Sequence, residues 1–164
     1  MAGPGGAGKT SLLQQYVKNS FSETTKMTIG VDFFLKELRL GSDVDVSLQL
    51  WDFGGQRQFR EIHGDYVKGA RGALLLVDLT RIFEIERVKK WVDLVRFERD
   101  DLPIVLIGNK VDLQDLIKVK DEELKYAMEE FNMETMLKTS AKTGKNVDKA
   151  FDTIAEIVYN HDNS

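Results

Sequence analysis

Eight residues near the N-terminus, Gly3-Pro4-Gly5-Gly6-Ala7-Gly8-Lys9-Thr10, have the types and spacing to hold a polyphosphate. They fit the pattern G-x-x-x-x-G-K-[ST]. Glycine at positions 3, 5, 6 and 8 leaves little side chain in the way, so backbone N–H groups can turn inward as an anion nest. Lys9 then bridges the outer phosphates and Thr10 offers its hydroxyl to Mg²⁺. Pro4 fixes one φ and removes one N–H donor, so the cradle relies on its other amides. Alone, the motif also reads as a flexible Gly-rich tail, and residues far downstream decide between the two.

The most informative of these is Asn109-Lys110-Val111-Asp112. A guanine base presents a ring N–H beside an exocyclic amino group, and one carboxylate can accept both. Against adenine, Asp112 would be left with an unpaired charge, which is a strong basis for discrimination. The stem of Lys110 would lie over the ring plane, and Asn109 would tie the loop to its neighbours. Trp51-Asp52-Phe53-Gly54-Gly55-Gln56 supplies the acid that a phosphate cradle lacks. Asp52 can hold Mg²⁺ through a water, and Gly55 can present a bare N–H to a terminal phosphate. Thr28 lies in a polar loop, Ser20 to Gly30, from which it can close over the same metal.

These clusters require elements that bring them to one edge. Leu12, Leu13, Tyr16 and Val17 predict a helix over Ser11 to Asn19, its N-terminus facing the anion. Val31 to Leu40 and Val44 to Trp51 suit strands, the second alternating Val44, Val46, Leu48 and Leu50 with polar residues. Gly41-Ser42-Asp43 turns them into an antiparallel hairpin. A short irregular helix is expected around Phe59 to Tyr66. Then strands (Ala73 to Leu79, Pro103 to Gly108, Met136 to Thr139) alternate with helices (Ile82 to Arg99, Asp121 to Phe131, and one through Val147, Phe151, Ile154 and Val158). That order implies an α/β fold: a mostly parallel sheet with one antiparallel edge hairpin and helices on both faces. Ligands bind such sheets beyond the strand ends, where Asp52, Asn109 to Asp112 and Ser140 to Lys142 all fall.

The 164 residues fit one domain, with 23 basic against 27 acidic residues and a net charge of −4. No basic run offers a nucleic-acid footprint, so no nucleic-acid partner is expected. The chain contains no Cys, which excludes disulfides, thiolate metal sites and a cysteine-linked lipid anchor in this chain. We expect a cytoplasmic protein, any membrane attachment coming through a partner or through a segment missing from this sequence.

Taken in order, the motifs resemble those of small GTPases of the Ras superfamily, from Gly3 to His161. Thr28-Ile29-Gly30-Val31-Asp32-Phe33 and Lys138 to Gly144 look like Rab proteins, whereas Trp51 to Gln56 is closer to the Arf wording. The resemblance implies a P-loop GTPase fold and a switch that hydrolyses GTP to GDP with Mg²⁺. It implies that Thr28 and Gly55 contact the γ-phosphate, that Gln56 orients the attacking water, and that Lys9 stabilises charge on the phosphates. It further implies that Gly5, Gly6, Ala7, Gly8, Lys9, Thr10 and Ser11 bind the phosphates, with Thr10, Thr28 and Asp52 serving the metal. Phe21 packs against the base, and the Ser140-Ala141-Lys142 loop completes the guanine site, the backbone of Ala141 reading the guanine carbonyl. No arginine occupies a known cis-finger position, so hydrolysis is expected to be slow and an activating protein, an exchange factor and effectors are the implied partners.

Two departures bear on this reading. Thr25 stands where many relatives carry a tyrosine that lids the phosphates. Relatives also have an apolar strand immediately before the cradle, in the middle of the sheet, where here only Met1 and Ala2 precede Gly3. Burying roughly five apolar residues contributes about 8–15 kcal/mol, comparable with a domain's net stability. We therefore expect an N-terminally truncated single G domain. The alternative function is a non-catalytic interaction module with weakened nucleotide binding, and a third reading, an ATPase, is opposed by Asp112.

Overall fold

A computed structural model of the chain describes residues 1–23, 31–54 and 67–164. Thr25, Thr28, Gly55, Gln56 and the helix expected around Phe59 to Tyr66 lie outside the described residues.

Helix α1, Lys9–Lys18, follows the cradle directly, with Gly8 as its cap at φ 97°. It begins two residues before the helix expected from apolar periodicity, because the cradle's own last residues form the first turn. Strands β1 (Val31–Leu40) and β2 (Val44–Phe53) pair antiparallel from Val31 opposite Phe53 to Leu40 opposite Val44. Gly41 takes φ 61° in the turn between them, a conformation that costs glycine little. Val44, Val46, Leu48 and Leu50 are half-buried and the residues between them exposed, as alternation requires.

The remainder alternates strand and helix: β3 (Ala73–Asp78), α2 (Ile85–Val95), β4 (Ile104–Asn109), α3 (Asp121–Glu130), β5 (Thr135–Thr139) and α4 (Val147–Asp162). The three strands form a parallel sheet in the order β3-β4-β5. Their apolar residues divide by pleat. Leu75, Ile104 and Leu106 face Val88, Trp91, Val92 and Leu124, while Leu74, Leu76, Val105 and Ile107 face Leu12, Leu13, Phe151 and Ile154. Burial on both faces explains why these strands read as continuous apolar runs. Tyr16 of α1 stacks on Phe151 of α4 with ring centroids 3.9 Å apart.

Helix α2 starts at Ile85 rather than Ile82. Glu84 is extended at φ −132°, ψ 108°, and Ile82 is 74% exposed, so the first apolar residue of the pattern stands off the helix. Helix α3 opens where Glu123 accepts the Lys120 N–H at 2.8 Å, with Asp121, Glu122 and Glu123 in the favourable first turn.

Ahead of the cradle, Ala2 is the one residue that pairs with the parallel sheet among the described residues. Ala2 makes an isolated parallel bridge to Leu75, its N–H donating to Leu74 at 2.8 Å and its carbonyl accepting from Leu76 at 2.9 Å. The Met1 nitrogen reaches the other way, to the Trp51 carbonyl of β2 at 2.8 Å. The hairpin and the parallel sheet are thus joined at one end and flank a cavity of about 660 Å³, whose lining includes Leu48, Leu50, Leu74, Ile154 and Val158.

Candidate functional site

The parallel register brings Asp78, Asn109 and Thr139 side by side at the carboxyl ends of β3, β4 and β5. All three are buried, at 4%, 1% and 0% exposure. A buried polar row of this kind must satisfy its hydrogen bonds internally or through a ligand, and it does so by reaching into the adjoining loops.

Asn109 is the central tie. Its amide nitrogen donates to the Ala7 carbonyl at 3.0 Å, and its oxygen accepts from the Thr139 hydroxyl at 3.0 Å and the Ala141 N–H at 3.3 Å. One side chain therefore joins the Gly3–Thr10 loop to the loops that follow β4 and β5. Gly8 is required for this approach, since a Cβ there would stand 2.2 Å from the Asn109 nitrogen. Asp112, half-buried two residues beyond Lys110, accepts from the Ser140 hydroxyl at 2.6 Å. The same Ser140 oxygen accepts from the Thr143 N–H at 3.0 Å. Lys110 bends the loop at φ 72° and donates to Asp78 at 2.7 Å.

The phosphate end has a different character. Lys9 is 6% exposed, and its ammonium donates to the carbonyls of Gly3 at 2.7 Å and Pro4 at 3.0 Å. Burial pulls its pKa down to about 8, with the charge of Asp52 working the other way. Asp52, at the end of β2 and 0% exposed, accepts from the Thr10 hydroxyl at 2.5 Å. Burial pushes its carboxyl above the ordinary value, against the opposing pull of the Thr10 bond and of Lys9. A buried carboxylate and a hydroxyl in contact form a hard oxygen donor pair, suited to Mg²⁺ that keeps further oxygens from phosphate and water. Among the described residues there is no group of three or more His, Cys, Asp or Glu that could hold a metal ion.

The cradle residues Gly5 to Thr10 thus meet Asp52, Asn109, Lys110, Asp112, Ser140 and Ala141 around one edge. Ser11 is buried in the first turn of α1. Phe21 is 38% exposed on the segment after α1, and Lys142 on the far loop reaches Glu23 of that segment at 3.2 Å. Thr28, Gly55 and Gln56 lie outside the described residues. Sequence reasoning passed over Asp78, Arg81 and Thr139. Asp78 carried a usable signal, a carboxylate closing an apolar run at a strand's carboxyl end, as Asp52 does.

Comparison with known proteins agrees with this geometry. The family model described as "Ras family" matches residues 1–160. Ras-related protein Rab-1 of Theileria annulata is 38% identical over 156 residues, covering 94% of this chain and 70% of that protein. Ras-related protein RABA1e of Arabidopsis thaliana is 38% identical over 160 residues, covering 97% of this chain and 73% of that protein.

Proposed function

Because the chain belongs to the Ras family, we propose a division of labour among its residues within that family's activity. The protein is a Rab-like guanine-nucleotide-binding switch and a GTPase, converting GTP to GDP. The observation that carries the assignment of residues is the Asn109 network, which fixes the cradle against the Asp112 loop. In our reading Asp112 accepts from the guanine ring N–H and amino group, with Ser140 holding it in place. Ala141 offers its backbone to the guanine carbonyl, Lys110 covers one ring face, and Phe21 packs near the base, with Lys142 alongside.

At the other end, the amides of Gly5 to Thr10, with Ser11 behind them, receive the phosphates. Lys9 exchanges its carbonyl partners for phosphate oxygens, gaining anionic partners for a buried cation. Thr10 and Asp52, the latter through a water, would hold Mg²⁺ with help from Thr28, and the ion would supply charge against the phosphate oxygens. Gln56 orients the attacking water, and Gly55 donates to the terminal phosphate. Loops held by that phosphate are released after hydrolysis, which is how effectors would read the state. An activating protein and an exchange factor complete the cycle in this proposal. We place the protein in the cytoplasm, at membranes through a partner. None of the described helices is long and apolar enough to cross one.

Single-turnover hydrolysis of GTP with Mg²⁺ tests the assignment. Gln56→Leu is expected to slow the step by roughly 10- to 100-fold while GTP still binds. Equal rates would remove Gln56 from its role, and failure of the wild-type protein to bind GTP in calorimetry would overturn the whole reading.

A further inference from the structure

The Gly5–Gly6 limb of the proposed phosphate cradle is gripped by a residue that none of the motifs contains. Arg81, three residues after the end of β3, donates from Nη1 to the Gly5 carbonyl at 3.1 Å. Its Nε lies 3.3 Å from the Asp78 carboxylate. Its Nη2 sits so close to Gly6 that a Cβ there would stand 2.7 Å away. Asp78 is well placed to anchor this contact. Its side chain is 3% exposed, and it accepts from the Thr80 N–H and hydroxyl at 2.9 and 2.6 Å. It also accepts from Lys110 at 2.7 Å. One buried carboxylate therefore holds an arginine that touches the phosphate cradle and a lysine that belongs to the base-reading loop.

We propose that Arg81 is a positioning residue for nucleotide binding, a strap that holds the Gly5–Gly6 limb of the cradle in register with the base-reading loop through Asp78. This rests on the nucleotide-site reading above and deepens it. The cradle needs such a strap. Pro4 has no N–H to donate, and the Lys9 bonds to Gly3 and Pro4 use the ammonium that phosphate claims. Arg81 bonds a backbone carbonyl, so its contact does not take up an N–H donor that phosphate would use. The guanidinium's several donors in a fixed plane let it touch a carbonyl and a carboxylate together, which a lysine ammonium at the same place does less well. The Arg81 side chain is 53% exposed, so its removal leaves the core intact.

The test combines three readouts on Arg81→Ala and Arg81→Lys. Hydrogen exchange of the nucleotide-free protein is expected to rise in the amides of residues 5–8 in Arg81→Ala and to stay unchanged in β5. Kd for GDP is expected to rise about three- to tenfold, the size of one partly exposed charge-assisted bond, with Arg81→Lys between wild type and alanine. The single-turnover hydrolysis rate at saturating GTP is expected to stay within twofold. Unchanged exchange in residues 5–8 overturns the strap whatever nucleotide does. A fall in the saturated rate as large as the change in Kd also overturns it, because Arg81 would then act on the reacting phosphate. Raised exchange in a protein that does not bind GTP leaves the strap standing and removes the functional reading instead.

Discussion

The two ends of the nucleotide site are built on opposite plans. At the proposed base end, Asn109, Asp112, Ser140 and Thr139 are bonded to one another and to backbone, so in the proposed reading the groups that would meet guanine are held before it arrives. At the phosphate end, Lys9 folds onto carbonyls of its own loop and Thr10 onto Asp52. In the proposed reading those partners would be exchanged for phosphate and metal. The base end is preorganised and the phosphate end is self-satisfied. On the proposed assignment, selectivity would cost little rearrangement, while phosphate binding would carry the partner exchange and its proton and metal linkage.

The largest effect that can test this contrast is at Asp112. Asp112→Asn replaces an acceptor pair with a group that places a donor against guanine's donors. Losing two bonds to a charged acceptor should weaken GTP binding by at least about 100-fold, read by calorimetry, while binding of ATP stays as weak as before. A loss below about threefold would mean that the base end does not aim a carboxylate at guanine, and the contrast would fail.

That prediction could be made from sequence because it rests on a short motif at a strand end. Most of the scaffold was legible in the same way. Apolar runs gave β3 and β4, alternation gave β2, and spacings of three and four gave α4, since burial on two faces, one face or one stripe writes different periods into a chain. What escaped was contact between distant segments. Nothing in the string says that Asn109 reaches Ala7, or that Arg81 reaches Gly5 across 76 positions. Those contacts follow from the register that sets Asp78 beside Asn109 and Thr139, and register is a property of paired strands. Helix α2 was overextended for a related reason: Ile82 fits the helical period yet lies in solvent.

A second, smaller effect tests the phosphate end. Burial holds the Lys9 ammonium down to about 8 in the nucleotide-free protein, and phosphate beside it favours the charged form. Above about pH 8, binding must therefore take up a proton. GDP affinity should fall about tenfold from pH 7 to pH 9, and calorimetry in buffers of different ionisation enthalpy should show the uptake. The stability of the nucleotide-free protein should move the other way. A lysine depressed in the folded state contributes stability above its unfolded value, and that contribution is lost as pH falls through about 8. Nucleotide-free melting temperature should thus rise from pH 8 toward 10 in its Lys9 component, and the bound form should lack that component. Affinity independent of pH across this window would mean that Lys9 already holds its bound-state environment, and the two ends would not differ in plan.

The smallest effect bounds the base end from outside. Lys142 meets Glu23 at 3.2 Å, with the two side chains 52% and 78% exposed, and this ion pair joins the base-reading loop to the segment carrying Phe21. Exposed ion pairs contribute about 0–1 kcal/mol and are screened by salt. The buried bonds of Asn109 and Ser140 have no such escape to water, so the base end should owe its order to them. Glu23→Gln removes the pair without replacing any residue assigned to the nucleotide, though it frees Lys142 from its carboxylate. It should change the GDP dissociation rate by less than about threefold at low salt and by nothing measurable at high salt. A tenfold acceleration that persists in salt would show that the base is held by a closing segment, and preorganisation would then belong to the loop after α1 as much as to the strand ends.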